Sequence, residues 1–344
     1  MPDDMVVLRP RQYDPAAWLG RDLAEHPDLW TLTLSSGHVA ELEQAKDDVM
    51  SDAFELADVT KESFLLPTFG PVLLELRQEL IQGRGFAVVR GLDVARYSED
   101  ELAVIFFGLG SHIGHARSQN AAGHILGHVL DLGAKGSDEN VRIYQTRERQ
   151  TFHTDSCDVV GLICLRQAKT GGESMLVSGL SIYNSFLERR PDLLPRLFDL
   201  VATDRRGEIP EGMKPYFEIP VFTTHQGYLN VMYQRQYIDS AQRFPVAMRL
   251  TSDHVEALNL FDELANDPDL NFAMMLEPGD MQFVHNHTLL HDRMGFVDWP
   301  EPERCRHLLR LWLSAPGDRP LPGCYAERFG SATIGDRGGI VVRG

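Results

Sequence analysis

His153 and Asp155 are the residues of this chain best placed to bind a metal ion together. They stand two positions apart in the segment TFHTD, and residues with this spacing on a β-strand point to the same face. His291, from another strand, could complete a set of two imidazoles and one carboxylate. Such a set fills one face of an octahedral metal and leaves the other face open, as in non-haem Fe(II) oxygenases. We therefore predict a metal centre with open positions for a co-substrate and O2.

The His-x-Asp spacing is a weak signal by itself, because short motifs also arise by chance. The chain contains a second copy, His26-Pro27-Asp28, whose proline and polar neighbours favour a turn. For His153 and Asp155 the alternative interpretation is a hydrogen-bonded pair at the end of a strand. The rest of the chain must decide between these interpretations.

The segment HNHTLLHDR offers three histidines for the third ligand position. If the segment is extended, His285, His287 and His291 all fall on one strand face, because alternate residues of a strand share a face. The alternation therefore does not identify which of the three is the ligand. Leu289 and Leu290 give His291 an apolar wall, which favours it as the ligand. His285 and His287 then either support the ligands or are hydrogen-bonded core residues.

Arg306 and Arg310 share one face of a strand predicted over the apolar run at 307–313. A buried guanidinium needs an anionic or hydrogen-bonding partner, and a carboxylate fits it bidentately. We expect a carboxylate ligand here, with an internal salt bridge to a distant acidic residue as the alternative. Upstream, Ser174 follows a Gly-Gly turn at the start of a predicted strand. The alternative there is an ordinary hairpin turn.

These four segments, H-x-D, GGES, LLHDR and RHLLR, occur in an order that resembles the taurine dioxygenase (TauD/TfdA-like) family over about residues 84–316. The family uses Fe(II) and 2-oxoglutarate. The resemblance implies that His153, Asp155 and His291 bind iron. It also implies a double-stranded β-helix fold with helical additions.

The resemblance also implies which residues bind the co-substrate. Ser174, where relatives usually have threonine, and Arg306 would hold the distal carboxylate of 2-oxoglutarate. Arg310 would lie toward the metal and the substrate. An aspartate at 155, rather than glycine or alanine, argues against halogenation, because no ligand position is free for chloride. The implied reaction is oxidation of a C–H bond by O2, by hydroxylation, with release of succinate and CO2.

Three departures put taurine itself in doubt. Asp292 follows the distal histidine where many relatives have a small residue, the loop from His291 to Arg306 is long, and the region 111–128 does not match a sulfonate-binding segment. We expect a small polar substrate that is acidic or amino-acid-like. Two alternatives remain: a zinc or manganese hydrolase or isomerase with the same ligands, and a non-catalytic cupin-like binding protein.

Candidate substrate contacts cluster in a long segment and just before His153. The region 111–140 is rich in Gly, His, Ser and Asn, and loops of this length are usually functional or disordered. We expect it to form a lid, with residues 115–130 covering the site rather than joining the core. The alternative is a loop folded on its own hydrogen bonds. The candidate contacts are Gln119, Asn120, His124, His128, Arg149, Gln150 and Arg310.

The composition of the chain limits the classes of partner that we expect it to bind. The net charge of −17 argues against nucleic acid and anionic membrane surfaces. The N-terminal segment shows no apolar signal-peptide core, and no apolar run is long enough to span a membrane. The four cysteines contain no C-x-x-C pair. We expect a cytoplasmic enzyme that acts on a small molecule, with a homodimer as a possible assembly.

Many short strands with interspersed helices predict a β-rich α+β fold of sandwich or jelly-roll type, decorated with helices. We expect one catalytic domain over 1–344: a mainly helical segment 1–83, a core 84–316, and a C-terminal extension 317–344 whose Gly-rich tail is loosely held. Helices are predicted at 71–82, after the capping pair Ser98 and Glu101, at 182–189 and near 252–265. The predicted strands are 86–89, 141–144, 151–155, 159–165, 221–223, 228–233, 272–276, 281–284 and 307–313.

Overall fold

A computed structural model describes residues 8–51, 53–133 and 143–340. Its α-helices are α1 Gly20–Ala24, α2 Ser36–Met50, α3 Phe69–Gln82, α4 Glu99–Ile113, α5 Gly179–Arg189, α6 Arg235–Ala241, α7 Ser252–Ala265 and α8 Ala326–Phe329. Its strands are β1 Thr31–Thr33, β2 Phe86–Arg90, β3 His115–Ala116, β4 Leu126–Val129, β5 Gln150–His153, β6 Val159–Arg166, β7 Thr170–Gly171, β8 Ser174–Ser178, β9 Val201–Asp204, β10 Tyr216–Ile219, β11 Phe222–His225, β12 Tyr228–Val231, β13 Asn271–Met274, β14 Met281–His285, β15 Leu289–Arg293, β16 Phe296–Val297 and β17 His307–Ser314.

Two sheets form the centre of the molecule. The larger has the order β1-β2-β14-β6-β17-β3, with β4 also paired to β17, and the smaller has the order β13-β8-β15-β5. All the pairs are antiparallel except β1 with β2. In the smaller sheet His291 lies opposite His153, and Arg293 lies opposite Ser174. The smaller sheet therefore brings together residues that are more than a hundred positions apart in the sequence.

Successive side chains of β17 point to opposite faces of the sheet, and this alternation explains how the sheets pack. Leu309, Leu311 and Leu313 belong to the apolar cluster that includes α3 and α4. Leu308 and Trp312 belong to a second cluster, which also holds residues of the smaller sheet. A third cluster packs α5 and α7 against the smaller sheet's other face. Each sheet is thus covered on both faces, as the near-continuous apolar runs in its strands require, and the predicted β-rich α+β sandwich is confirmed.

The predicted helices at 71–82 and near 252–265 are confirmed as α3 and α7. The capping box at α4 is present as predicted: the Glu101 backbone N–H donates to the Ser98 hydroxyl at 3.2 Å. In return the Ser98 N–H donates to the Glu101 carboxylate at 2.8 Å. The prediction succeeded because a capping box is a local interaction that depends on a few neighbouring residues.

The lid predicted over 115–130 is wrong for most of that segment. β3 and β4 both pair with β17 and so belong to the larger sheet. Gln119, between them, is buried. Residues 134–140 of the predicted lid lie outside the described residues, as do 141 and 142 of the strand predicted at 141–144. Ile143–Gln145 forms a 3-10 turn rather than a strand.

The single strand considered for 285–291 is also wrong. His285 ends β14 and His291 lies in β15, and the chain turns between them. The two strands belong to different sheets. The turn therefore separates His285 and His287 from His291, although strand parity had placed all three on one face.

The tail is firmly packed over 337–340, contrary to expectation. Arg337 and Ile340 are buried, and the Gly339 N–H donates to the Ser156 carbonyl at 2.7 Å. Gly338 and Gly339 both have φ of +87°, a conformation that glycine adopts without strain. A Cβ on Gly338 would lie 3.0 Å from the Ser156 carbonyl oxygen. Glycine thus permits the tail to approach the segment that follows Asp155.

The hairpin of β9 and β10 was not predicted, and it covers one end of the sandwich beside α8. Within the described part of the chain, no helix is both long and apolar enough to cross a membrane.

Candidate active site

His153, Asp155 and His291 converge on one point between the two sheets. The imidazole rings of His153 and His291 lie 4.2 Å apart between centroids. One ligand atom from each of the three residues lies within 4.8 Å of the others. The Asp155 oxygens are 3.8 Å from His153 Nε2 and 3.7 Å from His291 Nε2. The donor set therefore fits a metal ion that takes three facial ligands.

His153 is held in the tautomer that metal binding needs. Its Nδ1 lies 2.9 Å from the Thr151 carbonyl oxygen and donates to it, so the lone pair remains on Nε2. Burial, together with the nearby His291, lowers the pKa of His153 to about 3. The ring is neutral near pH 7 and can act as a ligand. In the structure the Gln150 amide donates to Nε2 at 2.9 Å, so that bound iron would release this amide to another partner.

Asp155 is ionised although it is buried. Burial opposes its charge, but the Arg310 guanidinium and the two imidazoles hold the pKa of this carboxyl well below its usual range. Trp312 Nε1 donates to Asp155 Oδ2 at 2.8 Å, and Arg310 Nη1 lies 3.6 Å from the same oxygen. The Asp155 N–H donates to the Asn286 side chain at 2.9 Å. These contacts fix the orientation of the carboxylate.

Two cavities meet at the triad. The first, which we call the Arg306 cavity, contains about 510 Å³ of empty space, part of it open to solvent. The second, which we call the Arg328 cavity, contains about 620 Å³ of empty space, part of it open to solvent. Five residues line both cavities and form the boundary between them: Tyr144, Gln150, His153, Asp155 and Arg310.

The Arg306 cavity contains a buried positive charge that has no carboxylate partner within the described ranges of the chain. Arg306 is 6% exposed, and burial lowers the pKa of its guanidinium to about 10, so it is charged at neutral pH. Among the described residues no acidic side chain forms an ion pair with it. Its guanidinium lies 5.2 Å from the Phe296 ring centroid. The internal salt bridge considered from the sequence is absent from this part of the chain, which leaves room for an anionic ligand.

Ser174 and Arg293 complete the polar wall of the Arg306 cavity. The Ser174 hydroxyl donates to the Gln282 side chain at 2.9 Å, so its oxygen can still accept a hydrogen bond. Burial and the neighbouring Arg306 lower the pKa of Arg293 to about 10. Arg293 was not predicted, although it stands two positions beyond His291 on a strand and so shares its face. The same period of two would have found Trp312, two positions beyond Arg310.

The Arg328 cavity lies on the other side of the boundary residues. Its walls come from β9, β10, the segment after β12, α6 and the C-terminal extension. Besides the five boundary residues, the cavity is lined by Thr154, Ser156, Thr203, Phe217, Ile219, Met232, Tyr233, Gln234, Tyr237, Trp312 and Arg328.

Of the predicted substrate contacts, the structure brings only Gln150 and Arg310 to the cavities. Gln119 acts through Arg310: its amide oxygen accepts from Arg310 Nε at 2.7 Å, and its amide nitrogen donates to the Arg310 carbonyl at 2.7 Å. Asn120 bonds to His124, and neither residue lines either cavity.

Arg149 and His128 also lie away from the cavities. Arg149 pairs with Asp292 at 2.5 Å, which gives a structural role to the unusual residue after the distal histidine. His128 Nδ1 lies 2.8 Å from His307 Nε2, and their rings are stacked. The sequence placed these residues near the site, but their side chains have other partners.

A second buried cluster has the same composition as the triad. His285, His287 and Asp318 also offer ligand atoms within 4.8 Å of one another. Arg337 occupies this cluster with its guanidinium: Nη2 donates to Asp318 at 2.9 Å and Nε donates to Asp158 at 2.7 Å. His285 and His287 are therefore hydrogen-bonded core residues in this structure.

Comparison with known proteins agrees with this geometry. The family described as taurine catabolism dioxygenase TauD, TfdA family matches residues 52–312. FR-33289 synthase of Streptomyces rubellomurinus is 33% identical over 309 residues, which cover 88% of this chain and 90% of the relative. The taurine hydroxylase-like protein SAT17 of Stachybotrys chartarum is 32% identical over 331 residues, covering 91% and 84%.

Solved structures with a similar fold hold the expected cofactors. An asparagine oxygenase in complex with Fe(II), hydroxyasparagine and succinate matches with a TM-score of 0.65 and 15% identity, covering 83% of this chain and 93% of that chain. The non-haem iron oxygenase OrfP with iron and α-ketoglutaric acid matches with a TM-score of 0.60 and 13% identity, covering 82% and 93%. The two-sheet core is thus the double-stranded β-helix of these enzymes.

The expected cofactors, Fe(II), 2-oxoglutarate and O2, follow from the family match and these neighbours together. The hydrolase, isomerase and binding-protein alternatives find no support among these relatives. The chain belongs to the TauD/TfdA family of Fe(II)- and 2-oxoglutarate-dependent dioxygenases.

Proposed function

We propose that this oxygenase hydroxylates a C–H bond of a small polar substrate, acidic or amino-acid-like, bound in the Arg328 cavity. The observation that carries the proposal is the arrangement of two cavities on either side of one triad. One cavity contains the buried Arg306, which forms no ion pair with any acidic residue that the structure describes, and so suits a dicarboxylate. The other lies beside two of the same metal ligands, His153 and Asp155, and has both polar and apolar side chains in its walls.

In this proposal His153, Asp155 and His291 hold the iron. Arg306 and Ser174 bind the distal carboxylate of 2-oxoglutarate, because a buried guanidinium and a buried hydroxyl together complement a carboxylate. When bound, iron and 2-oxoglutarate together activate O2 for attack on an unactivated C–H bond. Succinate and CO2 are the products of the co-substrate.

The protein's own contribution is positioning. Trp312 and Arg310 hold the Asp155 carboxylate in one orientation, and Asp155 itself lines both cavities. Gln150 lies at that boundary, where its amide can turn to a ligand in either cavity. Apolar side chains of the Arg328 cavity, such as Phe217 and Met232, exclude water and hold a substrate C–H close to the metal.

A screen of small acids and amino acids for stimulated succinate release tests the proposal. The protein is loaded with Fe(II) and 2-oxoglutarate, and succinate is measured with and without each compound. We expect a hit to raise succinate release and to be converted to a product heavier by one oxygen atom. Arg306→Ala is the control, since it should lose the stimulation at low 2-oxoglutarate concentration. A hit that is desaturated or cleaved, with no hydroxylated product, would contradict the proposed reaction type.

A further inference from the structure

Gln234 lines the Arg328 cavity, and the metal site gives it no role. It stands shortly after β12 and lies directly opposite His153 in an isolated antiparallel bridge. His153 in turn lies opposite His291 in the smaller sheet. Residues that lie opposite each other on antiparallel strands project their side chains to the same face. The Gln234 side chain therefore projects from the face that carries the two histidine ligands, beside His153.

The backbone around Gln234 is held by contacts on two sides. The Thr154 N–H donates to the Tyr233 carbonyl at 2.9 Å, and the Tyr233 N–H donates to the Thr154 hydroxyl at 3.0 Å. The Gln234 carbonyl accepts from the N–H groups of Tyr237 and Ile238 in α6, at 3.0 Å each. The position of the Gln234 side chain relative to the metal-binding segment is therefore set by direct contacts.

The amide oxygen of Gln234 is buried, and no hydrogen-bond donor in the described part of the chain bonds to it. Among the described residues that line the Arg328 cavity, Gln234 is the one with such an atom. A buried acceptor of this kind costs free energy, because it has given up water and gained no partner. The terminal torsion of a glutamine side chain is soft, so a small rotation turns the oxygen toward the cavity. The amide is thus available to a group that enters the cavity.

We infer that Gln234 is a specificity-determining residue, whose amide oxygen accepts a hydrogen bond from an N–H or O–H group of the substrate. This inference rests on the proposed function and deepens it, since the Arg328 cavity is the proposed substrate site. A site that offers an acceptor selects a substrate with the matching donor, because an analogue without the donor leaves the acceptor buried and unpaired. The bridge to His153 places this contact beside a metal ligand, so it orients the substrate close to the reacting centre.

Gln234→Leu tests whether the amide serves a ligand or the fold, and Gln242→Leu is its matched control. Both glutamines are half-buried, and they stand at the two ends of α6. The Gln242 amide is paired at both of its ends: it donates to the Met248 carbonyl at 3.1 Å and accepts from the Leu250 N–H at 3.2 Å. We expect Gln242→Leu to lower the urea midpoint of the metal-free protein. Gln234→Leu should leave the midpoint unchanged or raise it, because it removes a buried acceptor that has no donor among the described residues.

Four probes of one size show whether the parent protein selects a donor. 5-Hydroxypentanoate and 5-aminopentanoate end in a donor, whereas 4-methoxybutyrate and hexanoate end in a methyl group. Each is titrated without oxygen into protein loaded with Fe(II) and 2-oxoglutarate, and the change in the charge-transfer absorption of the Fe(II)–2-oxoglutarate complex gives a Kd. We expect at least one donor probe to bind about 3- to 10-fold more tightly than both methyl-ended probes, the usual contribution of one hydrogen bond. Gln234→Leu should abolish this preference, and Gln242→Leu should keep it.

Three results would overturn the inference. The first is a fall in the urea midpoint of Gln234→Leu as large as that of Gln242→Leu, which would make the amide part of the fold; this comparison needs neither iron nor a probe. The second is that no donor probe binds the parent protein more tightly than the methyl-ended probes, including the case in which none of the four binds. The third is an unchanged preference in Gln234→Leu. Failure of the proposed function looks different, because the charge-transfer absorption would then be absent before any probe is added.

Discussion

Two buried clusters in this protein have the same ligand composition and opposite fates. His153, Asp155 and His291 form one, and His285, His287 and Asp318 form the other. The first opens onto two cavities. The second is closed, with the His285 and Asp318 side chains at 0% exposure, and the Arg337 guanidinium pairs with its carboxylate at 2.9 Å.

The difference lies in the partner of the negative charge rather than in the ligands. In the closed cluster a guanidinium from the C-terminal tail already neutralises the carboxylates, so a metal ion would have to displace it at high electrostatic cost. In the open triad, Arg310 stays 3.6 Å from Asp155, and a histidine-facing oxygen remains available. In this protein, two histidines and one carboxylate form the candidate metal site where one carboxylate oxygen is left without a cation beside it and the ligands face open cavities.

The sharpest test of this contrast is metal content. We expect His291→Ala to lose most of its bound Fe(II), because it removes one of the three protein ligands. His287→Ala should keep about one iron per folded chain, since His287 faces Asp158 and not the triad. Iron is measured by elemental analysis of purified variants. Full occupancy in His291→Ala, together with loss in His287→Ala, would reverse the assignment of the two clusters.

The closed cluster should contribute to the stability of the fold rather than to metal binding. Arg337→Met leaves Asp158 and Asp318 buried without their cation, and we expect it to lower the free energy of unfolding by about 3–5 kcal/mol. Urea denaturation of the metal-free protein measures this. Arg190→Met, which removes a surface ion pair with Asp192, is the control and should leave the free energy of unfolding nearly unchanged. Equal losses in the two variants would show that the closed cluster is not special.

The cation of the Arg306 cavity, unlike Arg337, is expected to serve a ligand. Arg306→Ala should weaken 2-oxoglutarate binding by about 2–5 kcal/mol, since it removes the buried partner of a carboxylate. Arg310→Ala should cost less, because Arg310 is directed to Gln119 and Asp155. Anaerobic titration of 2-oxoglutarate into the iron-loaded variants gives both values. A larger loss for Arg310→Ala would exchange the two roles.

Trp312 is not a metal ligand, but its indole N–H donates to Asp155 and orients this carboxylate in the open triad. We expect Trp312→Phe to weaken iron binding by about 10- to 100-fold, the usual effect of losing a hydrogen bond to a metal ligand. Trp30→Phe removes an indole hydrogen bond to the Leu23 carbonyl far from iron, and it is the matched control. Iron affinity is measured by competition with a chelator. Equal affinities in Trp312→Phe and the parent would contradict this role.

The smallest effect is expected in the segment that the sequence presented as a lid. His124→Ala should leave turnover within about twofold of the parent, because His124 is exposed and lines neither cavity; surface changes of this kind rarely exceed about 0.5 kcal/mol. Gln119→Ala should lower turnover more, since Gln119 hydrogen-bonds to both the side chain and the backbone carbonyl of Arg310. Steady-state succinate release with an identified substrate compares them. A greater loss in His124→Ala would restore the lid hypothesis.

The sequence by itself determined the features that depend on local geometry. The two-residue spacing of His153 and Asp155 and the parity of Arg306 and Arg310 are properties of extended backbone. The structure brings all four residues to one pair of adjoining cavities. Capping at Ser98 was predictable for the same reason. The order of the four motifs then indicated the family, although each motif alone was ambiguous.

Only the tertiary structure showed which residues of the same type have different roles. His285 and His287 differ from His291 because a turn sends β14 and β15 into separate sheets, and no spacing rule reveals that turn. Arg328 reaches the cavity from a distant extension, and the Gly-rich tail packs because Arg337 meets two buried carboxylates. Burial and charge pairing depend on which distant residues the fold brings together. For this protein they separated a metal centre from a core ion network of the same composition.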